Sequence, residues 1–98
     1  LLYYTLPASV KARSFNEGFS QVDLGSTEKE VLLILGEPDV RESVFRLGQE
    51  KQSEAAYVRA AASDAQQYLL WFRGIDVIYS IGVDNQRVVV IKESGGAR

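Results

Sequence analysis

Leu24-Gly25-Ser26-Thr27-Glu28-Lys29-Glu30-Val31-Leu32-Leu33-Ile34-Leu35-Gly36-Glu37-Pro38-Asp39 spells out one short helix together with its start and stop signals. Thr27 is placed to cap the first turn, and Glu30, three residues on, reaches back to the N–H of the cap in a reciprocal capping box. Gly36 supplies the left-handed residue just past the last turn, and Pro38 prevents any continuation. A helix of about eight residues does not persist alone in water. It must therefore lay an apolar face on another element. Val31, Ile34 and Leu35 are its inward candidates, with Leu32 close by.

Upstream, Ser14-Phe15-Asn16-Glu17 is a second capping signature and predicts a helix from there to about Val22. Phe15, Phe19 and Val22 share one face of that helix. Gly18 in its interior costs roughly 1 kcal/mol relative to alanine, so tertiary contact must hold it. Downstream, Val40 to Leu47 reads as a strand, Gly48 to Gln52 as a polar loop, and the alanine-rich Ser53 to Ala65 as a helix able to approach a neighbour closely. Extended structure follows. Tyr68 to Phe72 is one strand, and Ile75, Val77, Tyr79, Ile81 and Val83 alternate with Asp76, Ile78, Ser80 and Gly82 as in a half-buried second one. Gly82 inside that strand signals a bulge or a close backbone approach. Asp84-Asn85-Gln86 forms a turn, Arg87 to Lys92 returns as a further strand, and Glu93 to Arg98 is a frayed tail.

The expected fold is α+β: two short N-terminal helices packed on one face of an antiparallel three- to four-stranded meander, with a helical insertion before the last strands. Residues 1–13 read as an arm, 14–93 as the domain and 94–98 as a tail. Leu1-Leu2-Tyr3-Tyr4, followed by Pro7, Lys11 and Arg13, suits either the trailing end of a removed signal or anchor segment, or else a short edge strand or an ordered arm lying on the domain.

Composition narrows the chemistry. The 98 residues carry 11 basic and 13 acidic side chains for a net charge of -2, with no basic face to attract a nucleic acid. Cysteine and histidine are both absent. The chain itself therefore offers no disulfide, thiolate metal site, cysteine nucleophile or Ser-His arrangement. No cofactor or metal site is expected. Of the paired carboxylates, Glu28 complements the helix dipole, Glu30 caps, Asp84 belongs to a turn and Asp76 alternates outward on its strand. A carboxylate-based hydrolase would draw on Glu28 with Glu30, Glu37 with Asp39, or Asp76 with Asp84, and none of these pairs has a convergent partner. The glycines form no phosphate-binding motif.

The sheet itself supplies the remaining candidate. If the face carrying Ile75, Val77, Tyr79, Ile81 and Val83 meets the helices, Ile78 faces away, and the neighbouring strands are apolar at both parities. The second face is then richer in apolar groups than a solvated antiparallel face needs to be. A partner or self-association surface would draw on Leu69, Trp71, Ile78, Val89 and Ile91, with Trp71 as the anchor. Cover by the alanine-rich helix or by the Leu1–Tyr4 arm is the competing reading.

Phe15-Asn16, Gln21-Val22-Asp23-Leu24-Gly25-Ser26-Thr27, Glu30-Val31 and Leu35-Gly36-Glu37-Pro38 together resemble the signature of the SmpA/OmlA (BamE-like) domains, and the late strands resemble that family's meander. The resemblance covers most of residues 15–92 and extends to β-lactamase-inhibitor-type proteins, which open in the same way. Ser26 stands where the pattern has methionine, Gln86 where glycine is common, and the 48–65 insertion is long. The chain shown holds no lipidation cysteine. The resemblance implies a non-catalytic module of the bacterial cell envelope or periplasm that docks on protein or lipid partners, with membrane association through a segment absent from this chain. An inhibitor that blocks an enzyme is its alternative.

Overall fold

The structure, a computed structural model, describes residues 8–47, 54–73 and 77–95, with side chains of the first helix from Phe15 onward. Seven elements follow one another: α1 (Ala8–Gln21), α2 (Glu28–Leu35), β1 (Val40–Glu42), α3 (Glu54–Ala62), β2 (Gln67–Arg73), β3 (Val77–Val83) and β4 (Val89–Gly95). The strands form one antiparallel sheet in the order β1-β2-β3-β4, a plain meander with β1 and β4 at its edges. The α+β architecture is as expected. Helices α1 and α2 lie on one face, and α3 lies on the other.

Helix α2 forms as its caps dictate. The Thr27 hydroxyl accepts the Glu30 N–H (3.1 Å) and the Glu30 carboxylate accepts the Thr27 N–H (2.9 Å), completing the capping box. At the other end the Gly36 N–H donates to the Leu32 carbonyl. Gly36 has the expected positive φ, but its angles of φ 84° and ψ -177° lie outside the left-handed helical well, in a region that essentially only glycine occupies. Val31 and Leu35 are buried as anticipated, whereas Ile34 is 43% exposed and rests against Gly18 of α1. A Cβ at Gly18 would stand 3.0 Å from Ile34 Cγ2 and 3.1 Å from Leu35 Cδ2. The mid-helix glycine is thus what lets α1 and α2 touch.

Several boundaries differ from the sequence reading. Helix α1 starts at Ala8, so Ser14 lies within it and does not begin it, and the proposed arm narrows accordingly. Strand β1 is three residues long; beyond it Val44 is exposed while Phe45 turns under α3, edge-on to Tyr57 and Tyr68 at ring separations of 4.8 and 5.4 Å. The Tyr57 hydroxyl pins this segment by accepting the Leu47 N–H (2.9 Å) and donating to the Leu47 carbonyl (2.7 Å). Strand β4 runs on to Gly95, because Glu93, Ser94 and Gly95 pair with Ser80, Tyr79 and Ile78. The expectations for Leu1–Pro7, the 48–52 loop, Ile75, Asp76 and the last three residues lie outside the described residues.

The main core is closed between the sheet and α1–α2 by Phe19, Val22, Val31, Leu35, Leu69, Trp71, Ile81, Val83 and Val89, with Phe15 and Tyr79 at its margin. The alternation of Tyr79, Ile81 and Val83 toward the helices is therefore as read. A second, smaller cluster joins Ala60, Tyr68, Leu70 and Ile91 under α3. Val89 and Ile91, two residues apart, serve opposite clusters because the β3–β4 register shifts between Gly82 and Val83, where Gly82 faces Ile91 and Val83 faces Val89. Val90 is the additional residue of this bulge. A Cβ at Gly82 would meet Ile91 Cγ2 at 2.7 Å, Ala65 Cβ at 2.8 Å and Tyr68 Cε1 at 2.8 Å, so the close-approach reading of this glycine is correct as well.

Two alanine substitutions separate the two uses of glycine. Gly36→Ala meets open space, and its backbone angles should cost about 1–3 kcal/mol. Gly82→Ala overpacks the α3 side and should cost about 1–3 kcal/mol. Urea unfolding should also find that Ile91→Ala, which removes the Cγ2 that the new Cβ would meet, costs less in the Gly82→Ala background than alone and shows no such coupling with Gly36→Ala.

Candidate functional site

Burial removes most of the partner surface expected from sequence. Leu69, Trp71 and Val89 are closed inside the main core, and Trp71 has no exposed surface at all. Its ring lies against Phe15 (6.1 Å between centroids), and its Nε1–H donates to the Gly36 carbonyl (3.3 Å) at the end of α2. Trp71 is thus a core anchor. Ile78 is half-buried on the α3 face, and Ile91 is nearly buried beside α3. The five residues do not share one surface: the strand alternation sends Leu69 and Trp71 to one face and Ile78 to the other, and the bulge separates Val89 from Ile91. The α3 cover is the reading that holds for the Ile91 side, through Ala56 and Ala60, the small residues that permit close approach.

Among the described residues the feature that does stand open is a groove of about 620 Å³ along the outer edge of β4, lined by Val22, Asp23 and Leu24 just after α1, Arg59, Ala62 and Ser63 at the end of α3, and Val90 to Glu93. Consecutive strand residues point to opposite faces. A groove touching Ile91, Lys92 and Glu93 together therefore follows the strand's edge and does not lie over either face. Leu24 is 64% exposed on its wall. Arg59 of α3 grips Glu93 through Nε (2.6 Å) and Nη2 (2.8 Å), and Lys92 donates to the Phe19 carbonyl at the end of α1 (2.6 Å) while lying 5.0 Å from the centre of the Phe19 ring. Each helix layer is thus tied to β4 by one cation, with the groove between them.

The upper part of the same edge is already occupied. The Gly25 N–H donates to the Val89 carbonyl, the Val89 N–H to the Ser26 carbonyl, and the Glu28 N–H to the Arg87 carbonyl, each at 2.8 Å. Thr27 and Val88 form the antiparallel bridge between them. The link between α1 and α2 therefore acts as a short added strand.

Seating α2 in this way buries Glu28 between Arg41 of β1 (2.8 Å) and Arg87 of the β3–β4 turn (2.9 Å). The sequence reading left Glu28 as a dipole-complementing charge and did not find this ion cluster, because its three members are far apart in the chain. Burial alone would raise the Glu28 pKa; the hydrogen bonds from Arg41 and Arg87 outweigh it and hold the carboxyl below its ordinary value of 4.5. Arg87 reaches Glu28 from a strained position, φ 62°. The turn is closed by the Asp84 carboxylate accepting the N–H groups of Gln86 (2.9 Å) and Val88 (3.0 Å), so Asp84 is the turn residue expected. The residue with positive φ is Arg87, one place after Gln86, the position where the resembled pattern has glycine.

The remaining carboxylates do not converge. Asp39 accepts the Phe72 N–H (2.8 Å) and a hydrogen bond from Arg73 (3.1 Å), and Glu37 lies at the rim of the Glu28 cluster through Arg41. Among the described residues no three acidic side chains gather as a metal site, and no helix is long and apolar enough to cross a membrane. No protein-family model matches the chain, and neither does any curated protein or solved structure.

The Glu28 cluster has a pH signature. Its folded-state carboxyl titrates below its unfolded value, so the stabilisation is complete above about pH 4.5 and is lost as the pH falls through the lower folded value. Glu28→Gln should lose about 1–2 kcal/mol at neutral pH, since it weakens two charge-assisted bonds whose arginines are partly solvated. Urea unfolding at a series of pH values should show the gap between the native protein and the variant closing as the pH falls below about 4.5.

Proposed function

We propose that the domain is a non-catalytic interaction module of the bacterial cell envelope that docks on a protein partner, with a lipid surface as a second kind of contact. The observation that carries this reading is the β4-edge groove: a mainly apolar concavity bounded by two helix ends and an edge strand, in which Arg59 and Glu93 are tied to each other and Lys92 and Ser63 are bonded to main-chain carbonyls. Binding, and not bond-making, is what such a lining supports. The envelope assignment draws on the resemblance to SmpA/OmlA domains. Its residues fall here on an aromatic-faced helix, a capped helix with a glycine stop and an antiparallel meander, the arrangement that resemblance implies.

A photo-crosslinking residue placed at Ala62, on the groove, and separately at Val58, 63% exposed elsewhere on α3, tests the proposal in cells of the native host. The Ala62 probe should give a discrete adduct in the envelope fraction that the Val58 probe does not. Adducts confined to soluble cytoplasmic proteins, or equal at both positions, would remove the envelope docking role.

A further inference from the structure

The β4 edge carries a more specific statement about what the groove receives, resting on the interaction-module reading above. Its first part, at Arg87 and Val89, is bonded through the main chain to Gly25–Glu28. Among the described residues no further main-chain bond reaches β4 from outside the sheet beyond Val89. The groove begins where that intramolecular pairing stops and follows the same strand across Val90, Ile91, Lys92 and Glu93. A strand lying there would continue a hydrogen-bonded line that the chain has itself begun.

Charge selects among strands. The Glu93 carboxylate is taken by both nitrogens of the Arg59 fork. Lys92 has no carboxylate within ion-pair distance among the described residues and donates only to a carbonyl. An incoming strand is therefore favoured by an acidic residue opposite Lys92, and the apolar walls at Val22, Leu24 and Ala62 favour an aliphatic side chain next to it. A second copy of this chain is a poor occupant. Two-fold antiparallel pairing of β4 with itself sets one residue opposite its own copy. Centred on Lys92 or Glu93 it opposes like charges, centred on Ile91 it collides with the Gly25–Ser26 segment bonded to Val89, and centred on Ser94 it sets a glycine, not a carboxylate, opposite Lys92.

We propose that an extended peptide strand of a different protein, bearing an acidic residue beside an aliphatic one, pairs with the outer edge of β4 over Val90–Gly95 and seats the aliphatic side chain in the groove.

The probe is a blocked peptide of about seven residues, alternating valine and threonine with one central aspartate, titrated into the ¹⁵N-labelled full chain and followed by amide shifts. Saturable shifts should concentrate at Val90–Gly95. Methylating the peptide's alternate main-chain nitrogens, or exchanging its aspartate for lysine, should each weaken binding by about tenfold or more. Ala62→Glu, an exposed helix position at the groove mouth, should do the same while leaving the unfolding midpoint nearly unchanged. Equal binding of the methylated peptide, or the absence of shifts at millimolar peptide, would overturn the proposal. Two results on the free protein would also overturn it. Self-association abolished by Ala62→Glu would name a second copy as the occupant. Slow exchange of the outer β4 amides in the monomer would name the chain itself. Shifts centred on another surface would overturn strand addition here while leaving the docking role, which the Ala62 crosslink tests separately, in place.

Discussion

Three main-chain hydrogen bonds between Gly25–Glu28 and Arg87–Val89 organise this domain, because they tie the start of α2 to the last hairpin of the sheet. Neither partner is stable alone: α2 is two turns long, and a lone hairpin is marginal in water. Once they are joined, the capping box sets the direction in which α2 leaves the sheet edge. Val31 and Leu35 are then aimed at the core, and Gly36 is delivered to the indole of Trp71. The same junction places Glu28 within reach of both Arg41 and Arg87, so one carboxylate ties α2 to β1 and to the β3–β4 turn. It also consumes the upper part of the β4 edge and leaves the lower part beside the groove.

The bulge opposite Gly82–Val83 has a comparable reach over a shorter distance. With regular alternation Val89 and Ile91 would share a face; the additional residue at Val90 lets Val89 complete the main core while Ile91 packs against Gly82 and the α3 side. The absent Cβ at Gly82 makes room for Ile91, Ala65 and Tyr68 at once. One strand thereby serves two layers, and α3 can lie close to the sheet with little more than Ala56 and Ala60 at its contact face.

Much of the scaffold is legible in the residues. The Thr27–Glu30 box, the Gly36 stop, the aromatic face of Phe15 and Phe19, the alternation from Tyr79 to Val83 and the Asp84 turn are local signals, set by neighbours a few places away in the chain. The candidate site was much less so. Trp71 and Leu69 read equally well as a docking face and as core, since an apolar side chain looks the same in either setting until something is placed over it. Ile78 and Ile91 carried the right suspicion for the wrong arrangement, because a bulge breaks the alternation on which face assignments rest. Glu28 looked like a first-turn charge because its arginines lie 13 and 59 residues away.

The sequence by itself determined the elements and their order: two helices, a strand, an alanine-rich helix and three further strands, each signalled by capping, periodicity or turn chemistry acting within a few residues. Tertiary structure alone decided which apolar residues became core, which charge became a buried hub and which strand edge is left open among the described residues. Those outcomes depend on burial and on hydrogen bonds between distant segments. Packing α1 and α2 on one face and α3 on the other enclosed Trp71, brought two arginines to Glu28 and left the lower edge of β4 between two helix ends.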